Sequence, residues 1–332
     1  MDIELTGPLT GQKKKLWTAF LNRAGLEPDE GVQSTVLLWD DGQIIATGSR
    51  QDHILKCIAV DDSRQGEGLT ATVLTSLRQD AFRAGHRHLF LYTKPGNLAM
   101  FSSLFFYPVA KTGKVLLMED KRNGVRNFFS DLAASKTEGR IGALVMNCNP
   151  FTKGHQYLVE QAAKECDWVY VFVLSEDKSR FSAADRLEMV KLGTAHLGNV
   201  TVNPSGPYLI SSATFPTYFL KDRDQVPQIQ CQLDIEIFCR YYAPHFGITC
   251  RYLGTEELSP LTARYNEALL EQLPGQGIEV RLLPRLTQEG SPISASSVRA
   301  RLDASKDIAD LVPETTLNYL TTHNLLKQED AL

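Results

Sequence analysis

Residues 140–163 read RIGALVMNCNPFTKGHQYLVEQAA, and how they fold decides the architecture of the second half of the chain. Residues 141–146 are a short apolar run of the kind that forms a buried parallel strand. Asn147, Asn149 and Pro150 break it, since both residue types favour a turn over a continued strand. From Gly154 the pattern turns helical, with Leu158, Val159, Ala162 and Ala163 on one face. A strand, a tight polar turn and a helix are predicted, with Thr152, Gly154 and His155 at the helix start. Free backbone N–H groups and the positive end of the helix dipole suit such a junction to phosphate. Gly154 would let a phosphate chain approach the backbone closely, and His155 can donate to a phosphate oxygen. A helix cap with a surface histidine accounts for the same residues, so the rest of the chain must decide.

Residues 168–174 (WVYVFVL) form a second apolar, β-prone run, and strand–helix–strand implies a right-handed parallel crossover. That strand delivers residues 175–178 to the carboxyl edge where open α/β sheets bind ligands. Lys178 there could neutralise triphosphate charge, or be an ordinary solvated loop lysine. Phe181-Ser182 opens a helix carrying Arg186, Leu187, Met189 and Val190. Further on, residues 291–299 (SPISASSVR) set the hydroxyls of Ser294 and Ser296 at a helix start, with Arg299 able to fork onto phosphate. A serine-rich capping loop is the bland alternative. Gly254, Thr255 and Glu256 end another apolar strand candidate, and residues 205–221 (SGPYLISSATFPTYFLK) have no general chemical reading.

Upstream, residues 12–25 suggest a helix, and residues 34–39 and 43–48 are two strands joined at Asp41-Gly42, a hairpin signal. A strand over 54–60 runs into DDSRQGEG (61–68), followed by a helix with Leu69, Val73, Leu74, Leu77, Ala81 and Phe82 on its apolar side. A strand over 89–93 and an aromatic-rich helix reaching Phe106 follow. Gly66 and Gly68 mark a second strand-to-helix turn suited to a pyrophosphate. The polar stretch 135–139 is the predicted boundary between domains 1–135 and 136–332. Hydrophobic content of 43% and charged content of 22% are those of an ordinary globular protein, and 332 residues suffice for two cores. A net charge of −4 gives no electrostatic case for nucleic acid, and no apolar run approaches a membrane span, so a cytoplasmic protein is expected. The six cysteines form no C-x-x-C pair, which argues for reduced, mostly buried thiols; Cys148 inside the key turn is read as a small loop filler, with a reactive thiol as the alternative.

Several of these motifs resemble known families. Thr152-x-Gly154-His155 is similar to the T/H-x-G-H signature of the nucleotidyltransferase superfamily, and Ile293 to Arg299 to its I-S-S-T-x-x-R signature, with Ala295 for the second serine. The two lie roughly 140 residues apart, in the expected order. The F-S-x-x-x-R pattern at 181–186, followed by Met189 and Val190, resembles a helix of phosphopantetheine adenylyltransferases. Residues 34–107 resemble the GNAT acetyltransferase fold, with Ser63, Gly66 and Gly68 on its pyrophosphate signature and Phe105 where its members commonly carry glycine. The resemblances imply an α/β protein: an N-terminal GNAT-like α+β domain followed by a Rossmann-like, parallel-sheet nucleotidyltransferase domain.

N-x-N-P-F-T-x-G-H at 147–155, S-G-x-Y-x-I-S-x-A-T-F-P at 205–216 and Gly254-Thr255-Glu256 with Tyr265-Asn266 together resemble the [citrate (pro-3S)-lyase] ligase family. That resemblance implies ATP-dependent activation of acetate, then acetylation of a thiol on the dephospho-coenzyme A-like prosthetic group of the citrate lyase acyl carrier subunit. It implies ATP with Mg²⁺ held mainly through the triphosphate. His155, Thr152, Lys178 and Arg299 would be catalytic. Asn147, Asn149, Gly154, Gly254, Thr255, Ser294, Ser296 and Arg186 would bind the nucleotide, and Gly66 and Gly68 the prosthetic arm, with Arg64 as counter-charge. Two other readings stay open: an adenylyltransferase making a dinucleotide cofactor, and a GNAT enzyme whose second domain merely binds nucleotide.

Overall fold

The computed structural model of the chain describes residues 1–29, 31–132, 134–176, 179–209, 215–220, 223–256, 259–288 and 290–326. They form two compact units, Met1–Asn127 with Phe215–Leu233, and Phe128–Thr214 with Asp234–Leu332.

The first unit runs β1 (Asp2–Thr6), α1 (Gly11–Arg23), β2 (Ser34–Asp40), β3 (Gln43–Gln51), β4 (Ile54–Val60), α2 (Leu69–Arg83), β5 (Phe90–Thr93), α3 (Leu98–Ser103), β6 (Tyr107–Lys111) and β7 (Leu116–Glu119). The sheet order is β1-β2-β3-β4-β5-β7-β6. β4 and β5 pair parallel while the other neighbours are antiparallel, so α2 is the crossover a parallel pair requires. This is the α+β arrangement that the acetyltransferase resemblance implies. Asp41 and Gly42 both take positive φ and close the β2–β3 hairpin in two residues, as a type I′ turn demands. α2 buries Leu69, Val73, Leu74, Leu77 and Ala81. Phe82, expected on that face, is 57% exposed and lies under the Arg87 guanidinium instead. A Cβ on Gly48 would meet Val73 Cγ1 at 2.6 Å, so the helix presses directly on the β3 backbone. Phe105 has φ +61 and is 69% exposed, which explains why the resembling family puts glycine there.

Residues 215–233, which sequence order assigned to the second domain, pack with the first unit. Tyr218 donates its hydroxyl to the Tyr92 carbonyl at 2.8 Å, Glu27 donates its backbone N–H to the Tyr218 carbonyl at 2.8 Å, and Phe215 sits edge-on to Tyr92. The N-terminal boundary falls at 127/128, so the polar stretch 135–139 lies inside the second unit.

α4 (Gly124–Asp131) and α7 (Val226–Ile237) are divided between the units, and the second unit otherwise consists of β8 (Ile141–Met146), α5 (Lys153–Glu165), β9 (Trp168–Val173), α6 (Ala183–Thr194), β10 (Val200–Pro204), a π-helical stretch (Phe238–Tyr242), α8 (Ala243–Phe246), β11 (Cys250–Gly254), α9 (Pro260–Gln272), β12 (Glu279–Leu283), the short pair β13 (Thr287–Gln288) and β14 (Ser291–Pro292), α10 (Ala295–Asp303) and α11 (Glu314–Thr322). Its sheet is all parallel, ordered β10-β9-β8-β11-β12. The chain leaves β8 in one direction through β9 and β10, then returns on its other side through β11 and β12. β8 and β11 therefore flank the point where strand order reverses, the crevice where doubly wound sheets bind ligands. Leu144, Val159, Ala162, Val171, Val190, Val298 and Leu302 build the core that fixes both flanking helices.

Candidate active site

The turn after β8 is held by hydrogen bonds within itself. Thr152, in extended conformation, caps α5: its Oγ1 accepts the His155 backbone N–H at 3.3 Å. In return the Thr152 backbone N–H donates to His155 Nδ1 at 3.1 Å. An Nδ1 that accepts a hydrogen bond leaves the proton of the neutral ring on Nε2. Burial, with the Arg285 charge second, pushes His155 down to about 4, so the ring is uncharged at neutral pH. Nε2–H is then a neutral donor at the first turn of a helix.

A second helix start comes against this one. Ser294 caps α10 by accepting the Ser297 N–H at 3.0 Å. A Cβ on Gly154 would lie 3.0 Å from the Ile293 carbonyl oxygen and 3.5 Å from Thr152 Oγ1. The glycine is thus required by the chain's own approach, where the sequence suggested the approach of a phosphate. Arg299 fastens the two motifs: Nη1 donates to the Asn149 carbonyl at 2.6 Å and Nη2 to Ser296 Oγ at 3.3 Å.

Arg186 plays a comparable part from below. It is fully buried, and its donors reach the carbonyls of Phe181, Asn147, Leu174 and Glu176 and the Asn147 side chain. Asn149 Oδ1 accepts the Phe181 N–H at 3.2 Å. Arg186 and Asn149, expected to touch nucleotide, instead clamp the turn to the end of β9 and the start of α6.

The result is a cleft of about 690 Å³ over the carboxyl ends of β8 and β11, into which Asn147, Thr152, Gly154, His155, Ser294 and Ser296 converge with Gly254. Arg285, directly beyond β12, also lines it. Its Nε donates to the Thr255 carbonyl at 2.6 Å, its backbone N–H to Thr255 Oγ1 at 3.2 Å, and its guanidinium pairs with Glu256. Thr255 therefore supports Arg285 and does not face the cleft. A Cβ at Gly254 would stand 3.3 Å from the Leu158 side chain of α5, a tight approach to which the leucine must yield. Two helix N-termini, a neutral imidazole donor and a guanidinium around one space form a site for a polyanion.

Residues 141–320 match the family described as the citrate lyase ligase C-terminal domain. Over 91% of this chain and 90% of the relative, the sequence is 42% identical to a [citrate [pro-3S]-lyase] ligase of Klebsiella pneumoniae. It is 39% identical to the Escherichia coli K12 protein of that name over 93% of this chain and 90% of the other. The chain belongs to the citrate lyase ligase family. A more distant likeness, 24% identity over 57% of this ligase and 98% of the relative, is to a probable nicotinate-nucleotide adenylyltransferase of Dehalococcoides mccartyi. Among solved structures, an acyl-CoA N-acyltransferase from Pseudomonas aeruginosa aligns over 36% of the ligase and all of that chain, at 14% identity and TM-score 0.32.

Within this ligase, sequence reasoning passed over Arg285, Tyr265 and Asn266 as wall residues with a chemical part. The signal for Arg285 was available: a Leu-Pro-Arg exit from a strand places a cation at the carboxyl edge. Asn266 Nδ2 donates to the Gly254 carbonyl at 3.0 Å, and Tyr265 donates to the Asp234 carboxylate. Lys178 and residues 210–214 of the 205–221 stretch lie outside the described residues. Cys148 is buried, and burial pushes its thiol well above the ordinary range, which disfavours the thiolate. In the first unit, Gly66 and Gly68 have φ +88 and +74 and face open space. Arg64, however, is bound by Asp40 at 2.7 Å and forked by Glu67 at 2.7 and 2.9 Å. The counter-charge expected there for a pyrophosphate is already neutralised. Among the described residues no helix is long and apolar enough to cross a membrane.

Proposed function

We propose that this ligase activates acetate with ATP, releasing pyrophosphate, and passes the acetyl group to the prosthetic thiol of the citrate lyase acyl carrier subunit, releasing AMP. The observation that carries the reading is the convergence of the α5 and α10 N-termini, with neutral His155 between them, on one cleft at the sheet's switch point. The curated relatives named as [citrate [pro-3S]-lyase] ligases support the choice of acceptor.

A carboxylate oxygen of acetate forms a bond to the α-phosphorus, and the bond to the β-phosphate breaks, so pyrophosphate leaves with the electron pair. Charge grows on the phosphoryl oxygens. His155 Nε2–H and the two helix starts stand ready for it, and a neutral donor need give up no proton there. Arg285, braced by Thr255 and with its charge balanced by the single carboxylate of Glu256, offers guanidinium N–H donors to the triphosphate. The thiol sulfur then bonds to the acetyl carbon, the acyl–phosphate bond breaks, AMP departs and the thiol proton passes to solvent. Mg²⁺ would be held through triphosphate oxygens and water, because Glu256 on the cleft wall is committed to Arg285 and Ser259.

The deciding experiment is incubation with ATP, acetate and deacetylated citrate lyase, following AMP and recovered lyase activity. The dinucleotide-forming alternative, favoured only by the distant adenylyltransferase likeness, would leave AMP on the product. Absence of free AMP together with an adenylylated small product would replace this proposal with that one.

A further inference from the structure

Strand alternation divides the residues of β11 between two environments. Cys250 and Tyr252 belong to the core cluster, and the Tyr252 hydroxyl donates to Glu165 of α5. Arg251 faces the opposite side, and the cleft extends to it past Val145, Leu253 and Tyr265. The side chain is unusual for an arginine. It is 2% exposed, its guanidinium carbon stands 4.5 Å from the centre of the Phe238 ring, and its buried Nε has no hydrogen-bond partner among the described residues. Burial pushes its pKa down, while Tyr265 and Asp234 act on it from α9 and α7 in the opposite sense, with Cys239 a smaller influence. Asp234 supplies a counter-charge, yet among the described residues the buried Nε is a donor without an acceptor, which is costly unless a ligand completes it. Arg251 lies three residues, roughly 10 Å, before the Gly254 end of the strand. Arg251, His155 and the start of α10 line one and the same cleft.

We propose that Arg251 anchors the carboxylate of the acid substrate, a short monocarboxylate lodged in the arm of the cleft lined by Val145, Leu253 and Tyr265. The assignment rests on the ligase reading above. Arg251 donates to one carboxylate oxygen, and the other is left to form the bond to the α-phosphorus. No proton moves in this step. Val145, Leu253 and Tyr265 limit the room for the rest of the acid, so the same arm of the cleft sets chain length.

Acetate-dependent exchange of pyrophosphate into ATP tests the assignment in the full chain, comparing the unaltered protein with Arg251→Met and Arg251→Lys. Loss of a charge-assisted contact of this kind should raise the KM for acetate about ten- to a hundredfold in Arg251→Met. Arg251→Lys should fall between, and the KM for ATP should stay within about twofold in both, at the scale where no contact of note has been lost. A folded Arg251→Met or Arg251→Lys whose acetate KM is unchanged overturns the proposal. So does a fall in kcat and melting temperature alone, which is what a purely structural role would give. If neither variant folds, the unaltered chain still decides. Saturating aromatic protons should transfer magnetisation to the methyl of bound ¹³C-acetate, and less so in Tyr265→Leu; no transfer, or transfer indifferent to that change, rejects the pocket. Should the unaltered protein show no acetate-dependent exchange at all, the ligase reading itself fails, and Arg251 as its anchor with it.

Discussion

The two strand-to-helix turns, one before α2 and one before α5, look alike in sequence and differ in what surrounds them. Each follows an apolar strand, carries glycine and starts a helix of more than ten residues. At the α5 turn the glycine admits the Ile293 backbone, the polar side chains lock one another, and a histidine donor and Arg285 line a cleft. At the α2 turn the glycines satisfy positive φ, nothing presses on them, and the sole arginine of residues 61–68 is held by Asp40 and Glu67. Glycine spacing thus reports that a backbone must bend or come close. Whether an anion is welcome there depends on charges from other elements, here from β2 in one case and from beyond β12 in the other.

The hardest blow to the α5 side of that comparison should be His155→Ala. Loss of one donor to developing phosphoryl charge costs about 10²–10³ in rate. AMP formation by a folded His155→Ala protein at more than a tenth of the normal rate would break it. A pH scan sharpens the same point. The fold holds His155 near 4, whereas an unfolded histidine takes up a proton near 6.5. Stability from this residue is therefore complete above 6.5 and is lost as pH falls towards 4. Melting temperatures of the normal protein should drop across that window more steeply than those of His155→Gln, and parallel curves would contradict the neutral-donor geometry.

Next in size, Arg285→Gln should raise the KM for ATP about tenfold or more, the scale of a hydrogen bond to a charged group. Arg299→Ala should cost less, because its guanidinium reaches the cleft through the Asn149 carbonyl and Ser296 and acts as a positioning residue. Its mark should be a fall in kcat with a nearly constant KM for ATP; the reverse split would place it on the nucleotide.

How much of this was legible beforehand follows the range of the interactions. β8 runs over the same residues as its apolar run, and the Asp41-Gly42 hairpin closes where the dipeptide is, since both are governed by neighbours in the chain. The Thr152–His155 lock was readable as a capping pattern, though its effect on the ring's proton was not. Arg186 was read as a nucleotide-binding residue and Arg299 as a phosphate ligand because an arginine beside a motif looks the same whether it grips a ligand or a carbonyl thirty-nine or a hundred and fifty residues away. β1 escaped notice because Ile3 and Leu5 alternate on a strand whose apolar side is only half covered.

On the α2 side the effects shrink. Replacing Asp40 and Glu67 together by Asn and Gln should free Arg64 and strengthen binding of a coenzyme A-like pyrophosphate to the full chain by a few-fold, the scale of an exposed ion pair. No change by titration calorimetry would retire this turn as a docking place for the carrier's arm. Smallest of all, Gly66→Ala should cost about 1–2 kcal/mol of stability for the left-handed backbone it forces, and leave acetate-dependent pyrophosphate exchange untouched. A loss of exchange would mean that the two turns share work after all.

The return of residues 215–233 to the first unit has a consequence for biosynthesis. A ribosome must add residues 128–233 after Asn127 before that unit has all its parts, roughly 5–20 s at ordinary elongation rates. Throughout that interval the Tyr92 ring and carbonyl wait for Phe215 and Tyr218. The amino-terminal third of this ligase cannot be finished first and set aside, as in a simple string of domains. A nascent chain stalled within the second unit exposes the aromatic seam that the later segment should close, and chaperones would find their client there.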